Sequence, residues 1–306
     1  MTLLSDFSFE VLEQPRYLEK FARSKLDRVP KGSILVGAGD SYAAALAGFY
    51  LSRGGCFALD PYYLSVSPDT AAGKEVVFIS ASGRTSSNLV AAREVKGVAN
   101  RIVALTADEE SRLASVADSI VRLPMDLLPR MPGALSFSLS LLAVLKMLGV
   151  NDTCDFRRAH TQARSSSNSV TFSEGATYFL GNSAAHSVAL YSAAKVYELL
   201  GQRAFPEALE EFSHLELFSI TKADAVNIYS CFDPFGKGRK LEKALARHGY
   251  ASSLIEDKGA NDTERLFHAI FAAQFSVLHK AEAACLSEPN FLLDKARLEI
   301  SGSMIY

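Results

Sequence analysis

Two stretches of this chain concentrate the residue types that grip an anion. Gly37-Ala38-Gly39-Asp40-Ser41 follows the apolar run Ser33-Ile34-Leu35-Val36 and precedes a segment that reads as a helix. Glycines there let the backbone approach a ligand closely. The helix start beyond them offers unpaired N–H groups and the positive end of a dipole, which suits phosphate. Gly39, Asp40 and Ser41 are the candidate contacts, with Ser41 adding a hydroxyl donor. The second stretch, Ser80-Ala81-Ser82-Gly83-Arg84-Thr85-Ser86-Ser87, brings several hydroxyls, a glycine and one guanidinium to another helix start. Its candidate contacts are Ser80, Ala81, Ser82 and Thr85, and together the loops form a phosphate cradle that implies no metal and no nucleotide cofactor. Each loop also has an ordinary reading, since glycines after a strand serve close helix–strand packing and serines at helix starts are common caps. A nucleotide fits less well: G-x-x-x-x-G-K-[ST] is absent, and the run from Gly37 to Tyr42 lacks the third glycine of a dinucleotide fingerprint. The hydroxyl-rich second loop points to a sugar phosphate.

Such loops need rigid strands to end on, and the hydrophobic pattern supplies them. Short apolar runs at 33–36, 75–80 and 101–106 each lead through a loop into a new segment, helical after the first two. The second half starts over with 177–181, a helix over 186–200, a strand at 226–230, a basic helical stretch from Lys237 and a strand at 250–256. This alternation predicts an α/β protein with doubly wound parallel sheets flanked by helices. In such sheets ligands bind outside the carboxyl ends of the strands, where both loops lie. An amphipathic entry helix is expected over 15–28, opened by Pro15. A core helix is expected from Ala134 to Val150, and an apolar helix from Glu264 to Leu286 precedes an irregular tail. The polar stretch between Val150 and Ala176, in which RRAHTQAR could form a linking helix, marks a boundary. Gly37 and Gly181 hold the same place in the two halves, each ending an apolar strand before a small-residue helix start, which suggests a tandem duplication. The loop at Gly181 has no hydroxyl-rich second loop to match it, so one phosphate site per chain is expected.

Composition narrows the partners. The chain has 306 residues, 48% of them hydrophobic, enough for sizeable cores and about two domains. A formal charge of -2 provides no field for nucleic acid or an anionic membrane. Cys56, Cys154, Cys231 and Cys285 show no C-x-x-C spacing. The N-terminus has acidic residues where a secretory signal has basic ones, so a cytoplasmic location is expected.

With the loops quoted, the sequence resembles the sugar isomerase (SIS) domains, above all the isomerase half of glucosamine-6-phosphate synthase and the stand-alone glucosamine-6-phosphate deaminases. Glu10-Val11-Leu12-Glu13-Gln14-Pro15 is similar to the family's E-I-x-E-Q-P entry, Gly37 to Tyr42 to its G-C-G-T-S-Y loop, and Ser80 to Thr85 to its S-Q-S-G-E-T loop. The resemblance implies two tandem SIS domains, 1–150 with the N-terminal helix for phosphate and sugar binding, and 151–306 with linker and tail for catalysis. Gly181, Glu198 and His214 keep the family's spacing. On residue type alone Glu198 is a helix glutamate of the kind that usually faces solvent, and His214 a histidine of the kind more often structural. The resemblance gives them roles: Glu198 moves a proton between C1 and C2 of an open-chain sugar, and His214 assists ring opening from a neighbouring subunit of a homodimer with a shared site. The family's P-R-N-L-A-K tail, whose lysine forms a Schiff base, corresponds to Pro289-Asn290-Phe291-Leu292-Leu293-Asp294-Lys295. Lys295 lies one position late, and reads either as that lysine or as a surface lysine on a terminal helix.

Departures shape the expected activity. Leu215-Glu216 replaces the Gly-Pro after the family's histidine, Ala81 removes a side-chain sugar contact, and Arg84 replaces an acidic residue. No glutaminase domain and no N-terminal cysteine nucleophile are expected. The resemblance therefore implies a hexose-6-phosphate aldose–ketose isomerase or aminosugar-phosphate deaminase. A fructosamine-6-phosphate deglycase stands beside it, as does a phosphoglucose/phosphomannose isomerase, in which Pro129-Arg130 would supply an arginine. A sugar-phosphate sensor that binds without turnover is the non-enzymatic reading.

Overall fold

The computed structural model describes residues 2–125, 132–150 and 153–306. Pro129-Arg130 lies outside them. The chain is an α/β fold with two parallel sheets flanked by helices. The first sheet contains β1 (Ser33–Val36), β2 (Cys56–Leu59), β3 (Glu75–Ile79), β4 (Arg101–Thr106) and β5 (Ser119–Arg122), in the order β2-β1-β3-β4-β5. All pairs are parallel, with Val36 opposite Leu59 on one side and opposite Phe78 on the other. The second sheet contains β6 (Thr177–Gly181), β7 (Ala204–Ala208), β8 (Ala225–Tyr229) and β9 (Ala251–Ile255), in the order β7-β6-β8-β9, again parallel. The central strands β1, β6 and β8 are buried at every residue, as parallel strands covered on both faces must be.

The helices are α1 (Leu3–Ala22), α2 (Asp40–Leu51), α3 (Pro61–Val66), α4 (Ser86–Glu94), α5 (Leu135–Met147), α6 (Phe156–Ser166), α7 (Ala184–Lys195), α8 (Leu209–His214), α9 (Lys237–Arg247), α10 (Asp262–Ala283) and α11 (Lys295–Ile305). Contacts divide the chain into two compact units, Met1–Pro15 with Asp152–Leu293, and Arg16–Asn151 with Asp294–Tyr306. These units differ from a plain division near residue 150 only in where the two terminal segments, 1–15 and 294–306, fall.

In the unit holding the first sheet, α2 packs on α5 through small residues. A Cβ on Gly48 would come 2.5 Å from Cγ1 of Val144, so only glycine admits that approach. α5 is the expected core helix, buried along nearly its whole length. In the other unit, α10 runs through the core against α6 and α7. Its start is fixed by Asn261, whose side chain accepts from the Glu264 N–H at 2.9 Å. Glu264, buried, is gripped by Arg158 of α6 through Nε to Oε1 and Nη2 to Oε2, both at 2.8 Å. α6 is therefore part of this core rather than a linking helix.

Two expectations need correction. The entry helix begins at Leu3, not at Pro15, which lies inside it. A proline there removes the N–H that would bond the carbonyl four residues back, that of Val11. Val11 O instead accepts from Gln14 Nε2 at 3.1 Å and from His160 Nε2 at 2.8 Å, so the helix continues. The tail is not irregular either: α11 starts at an Asp294 cap that accepts from Arg297 N at 3.1 Å.

Candidate functional site

In the first sheet the chain moves from β1 to β2 on one side and then crosses to β3 on the other. The crevice outside the carboxyl ends of β1 and β3 is the topological switch point, where doubly wound sheets hold ligands. Both candidate loops meet there, one following Val36 and the other Ile79. Gly37 is required by packing, since a Cβ would fall 2.6 Å from the backbone carbon of Ser41. Gly39 caps α2 at φ 58° and ψ -127°, a conformation open mainly to glycine, with nothing within 4 Å of where a Cβ would stand. Asp40 and Ser41 follow it, partly buried, at the start of α2. Beyond it, a cleft of ≈ 580 Å³ is lined by Tyr42, Phe57, Asp60, Tyr63, Asp69 and Lys74 among others. Burial and then the charge of Asp60 raise the Tyr42 phenol pKa, keeping it a neutral hydroxyl at the loop's edge.

The second loop is internally braced. Ser80 Oγ accepts from the Gly83 N–H at 3.1 Å and lies 3.3 Å from Thr85 Oγ1, while Thr106 Oγ1 donates to Ala81 O at 3.2 Å. Gly83, at φ 61°, packs against Ser111, and Asn88 Nδ2 ties the start of α4 to Ile79 O at 3.2 Å. Ser82 Oγ accepts from Arg84 N at 3.4 Å, and the exposed Arg84 guanidinium lies 3.7 Å from Asp108. The structure brings Gly39, Asp40, Ser41, Ser80, Ala81, Ser82 and Thr85 to one end of one sheet.

In the second sheet Glu198 occupies a single π turn, Val196–Leu200, that continues α7. Such turns are rare and recur at functional sites. Tyr197 donates its hydroxyl to Ala204 O, and Gly201, at φ 63°, closes the turn with the Asn290 side chain pressed against it. Lys195 is completely buried, and its Nζ donates to Glu198 Oε2 at 2.6 Å. A buried ammonium is costly by several kcal/mol unless it is paired, so Lys195 fixes the carboxylate. The Glu198 side chain is only 22% exposed and is not a freely solvated surface group.

His214 ends α8 with its side chain 70% exposed, 3.5 Å from Glu210, which also pairs with Lys237. The ion pairs therefore join Glu198 to Lys195 and His214 to Glu210. Lys295 is the exposed first residue of α11 and falls in the contact unit that does not contain Glu198. At the position in the second sheet that corresponds by topology to the first sheet's second loop, the chain after β8 has Ser230, whose hydroxyl donates to Asp257 Oδ1 at 3.0 Å. Sequence reasoning missed Lys195, and the signal was available: a lone lysine within the apolar, small-residue run Ser187 to Val196, three residues before Glu198. Among the described residues no group of three or more His, Cys, Asp or Glu could hold a metal ion, and no helix is long and apolar enough to cross a membrane.

No protein-family model and no curated protein matches the sequence. Solved structures do. Glucosamine-6-phosphate deaminase from Thermotoga maritima is similar at a TM-score of 0.76 and 22% identity, over 91% of this chain and 94% of that one. The C-terminal domain of glucosamine-fructose-6-phosphate aminotransferase from Francisella tularensis is similar at 0.73 and 16%, over 90% and 95%. Tagatose-6-phosphate ketose/aldose isomerase from Escherichia coli follows at 0.67 and 18%, over 92% and 89%. The fold is that of the sugar isomerase domains, as the loop resemblance implied.

Proposed function

We propose that this chain is a sugar-phosphate isomerase, and more specifically an aldose–ketose isomerase and deaminase of a hexose or aminosugar 6-phosphate, built from two tandem SIS domains with their boundary near residue 150. The observation that carries the reading is the Glu198 carboxylate, set in a π turn and held at 2.6 Å by a buried ammonium. Isomerisation through an enediol needs one group that removes a proton from one carbon and returns it to the next. Glu198 is that group. Lys195 sets its orientation through the bond from Nζ to Oε2. Phosphate binding is assigned to the start of α2 at Gly39, Asp40 and Ser41, and to the hydroxyls of Ser41, Ser80, Ser82 and Thr85.

Two further roles belong to the same proposal. The exposed His214 suits donation to a neighbouring subunit's site in a homodimer, where it would open the sugar ring. Lys295, on the first turn of α11, would condense with the C2 carbonyl and release water, giving an imine that eases exchange of an amine. Turnover of glucosamine 6-phosphate to fructose 6-phosphate and ammonia tests the reading, with Glu198→Gln as the control. Loss of conversion is expected, and unchanged conversion in the variant would refute the assignment. Borohydride trapping then asks whether Lys295 carries substrate, an adduct on that residue being expected.

A further inference from the structure

Behind the Lys195–Glu198 pair runs a line of buried polar side chains that proton transfer itself does not use. Gln14 Nε2 donates to Gln274 Oε1 at 2.5 Å, besides its bond to Val11 O, and Gln274 Nε2 donates to the Tyr191 hydroxyl at 3.0 Å. Tyr191 lies one helical turn before Lys195, whose Nζ stands 5.1 Å from the ring centroid. Gln14, Tyr191, Lys195 and Gln274 are all completely shielded from solvent. The line joins α1, α10 and α7 at residues that all fall in one unit.

The line has a direction. Both amides turn their N–H groups toward Tyr191, so the phenol oxygen is an acceptor from Gln274. Anchoring the hydroxyl fixes the rotation of the ring, and with it the face over which the ammonium sits. In a site without water that face stabilises the cation more strongly than at a surface. Two amides and a phenol are expensive to bury, and the neighbours of Gln274 on α10, including Phe271, Ala273 and Phe275, show what an apolar core would place there.

We propose that Tyr191, Gln274 and Gln14 form a positioning relay for Lys195: the two glutamines lock the Tyr191 ring, and the ring holds the Lys195 ammonium in register with Glu198. The relay rests on the reading of Glu198 as the acid–base group. The three residues act through Lys195 and need touch no substrate.

Full-length variants with fructose 6-phosphate as the probe test it. Tyr191→Phe keeps the ring and deletes the anchor, Gln274→Leu deletes the donor, and Tyr191→Leu removes the ring. Losing an outer-shell partner lowers activity by about 10- to 100-fold. Tyr191→Phe and Gln274→Leu should fall at the low end of that range in kcat and Tyr191→Leu at the high end, with KM little changed. The double variant Tyr191→Phe/Gln274→Leu should be no worse than the poorer single, Gln274→Leu, because that variant already removes the Gln274–Tyr191 bond, together with the bond from Gln14. Lower thermal stability with an unchanged kcat in the folded variants would reduce the line to a structural role and overturn the proposal. A turnover-independent readout is the nitrogen–proton NMR signal of the Lys195 ammonium, identified by its loss in Lys195→Gln. It should be sharp in the native chain and broadened or shifted in Tyr191→Leu and Gln274→Leu. An unchanged signal in both would also overturn the relay. A responsive signal in a chain that turns over no sugar phosphate would uphold the relay and refute the isomerase reading instead.

Discussion

The turns after β1 and β6 are the same piece of backbone carrying different side chains. In both, a glycine ends the strand and the residue four positions on closes over it: a Cβ on Gly37 would lie 2.7 Å from Cβ of Ser41, and one on Gly181 2.8 Å from Cβ of Ala185. Two residues after each glycine the chain takes the same unusual conformation, φ 58° and ψ -127° at Gly39, φ 51° and ψ -129° at Ser183. The first turn carries Ser41 and faces a braced loop of hydroxyls across the switch point. The second carries Ala185, and its helix runs on into the π turn that holds Glu198. Matching backbones with diverged side chains are what duplication followed by division of labour would leave; in the function proposed above, one turn grips an anion and the other is scaffold for an acid–base group.

The largest effect that sharpens this contrast is expected at Glu198. Glu198→Gln should lower kcat by about 10²- to 10⁴-fold, the range for loss of a general acid–base group, with KM nearly unchanged. Next come the strand-ending glycines. Gly37→Ala and Gly181→Ala should each destabilise by about 1–3 kcal/mol in chemical denaturation, since the added methyl meets backbone that cannot yield. Ser41→Ala should raise KM for a phosphosugar by about tenfold, the loss of one hydrogen bond to a charged group, whereas Ser183→Ala should leave KM unchanged. Equal effects on KM would break the division of labour. The smallest effects have opposite signs in the two halves. Positive φ costs a side chain about 1–2 kcal/mol, and glycine adds back about 0.5–1 kcal/mol of chain entropy. Ser183→Gly should therefore stabilise by about 0.5–1 kcal/mol and Gly39→Ser destabilise by as much, both read from denaturation midpoints.

What the sequence made legible follows from burial. β1, β3, β4 and β6 are continuous apolar runs because helices cover both faces. The strands missed, β2, β5 and β7, are at sheet edges, where exposed positions interrupt the run and Pro206 is tolerated in β7. The entry helix was misplaced because Pro15 looks like a start, and nothing local shows that Gln14 and His160 satisfy the carbonyl it leaves. Both candidate loops could be read directly, since glycine and hydroxyl spacing is local. Lys195 is harder to read: the apolar run around it is a signal, but a lysine defaults to the surface, and its burial depends on how α7 packs against α10. The π turn at Glu198 has no sequence mark at all.

The central claim is that Glu198 moves a proton between two sugar carbons. It is tested most directly by incubating the native chain and Glu198→Gln with fructose 6-phosphate in deuterated water and following the C1 hydrogens by NMR. Steady exchange of a C1 hydrogen for deuterium in the native chain, lost in the variant, is the expected result. Equal exchange in both, or none in the native chain, would contradict it.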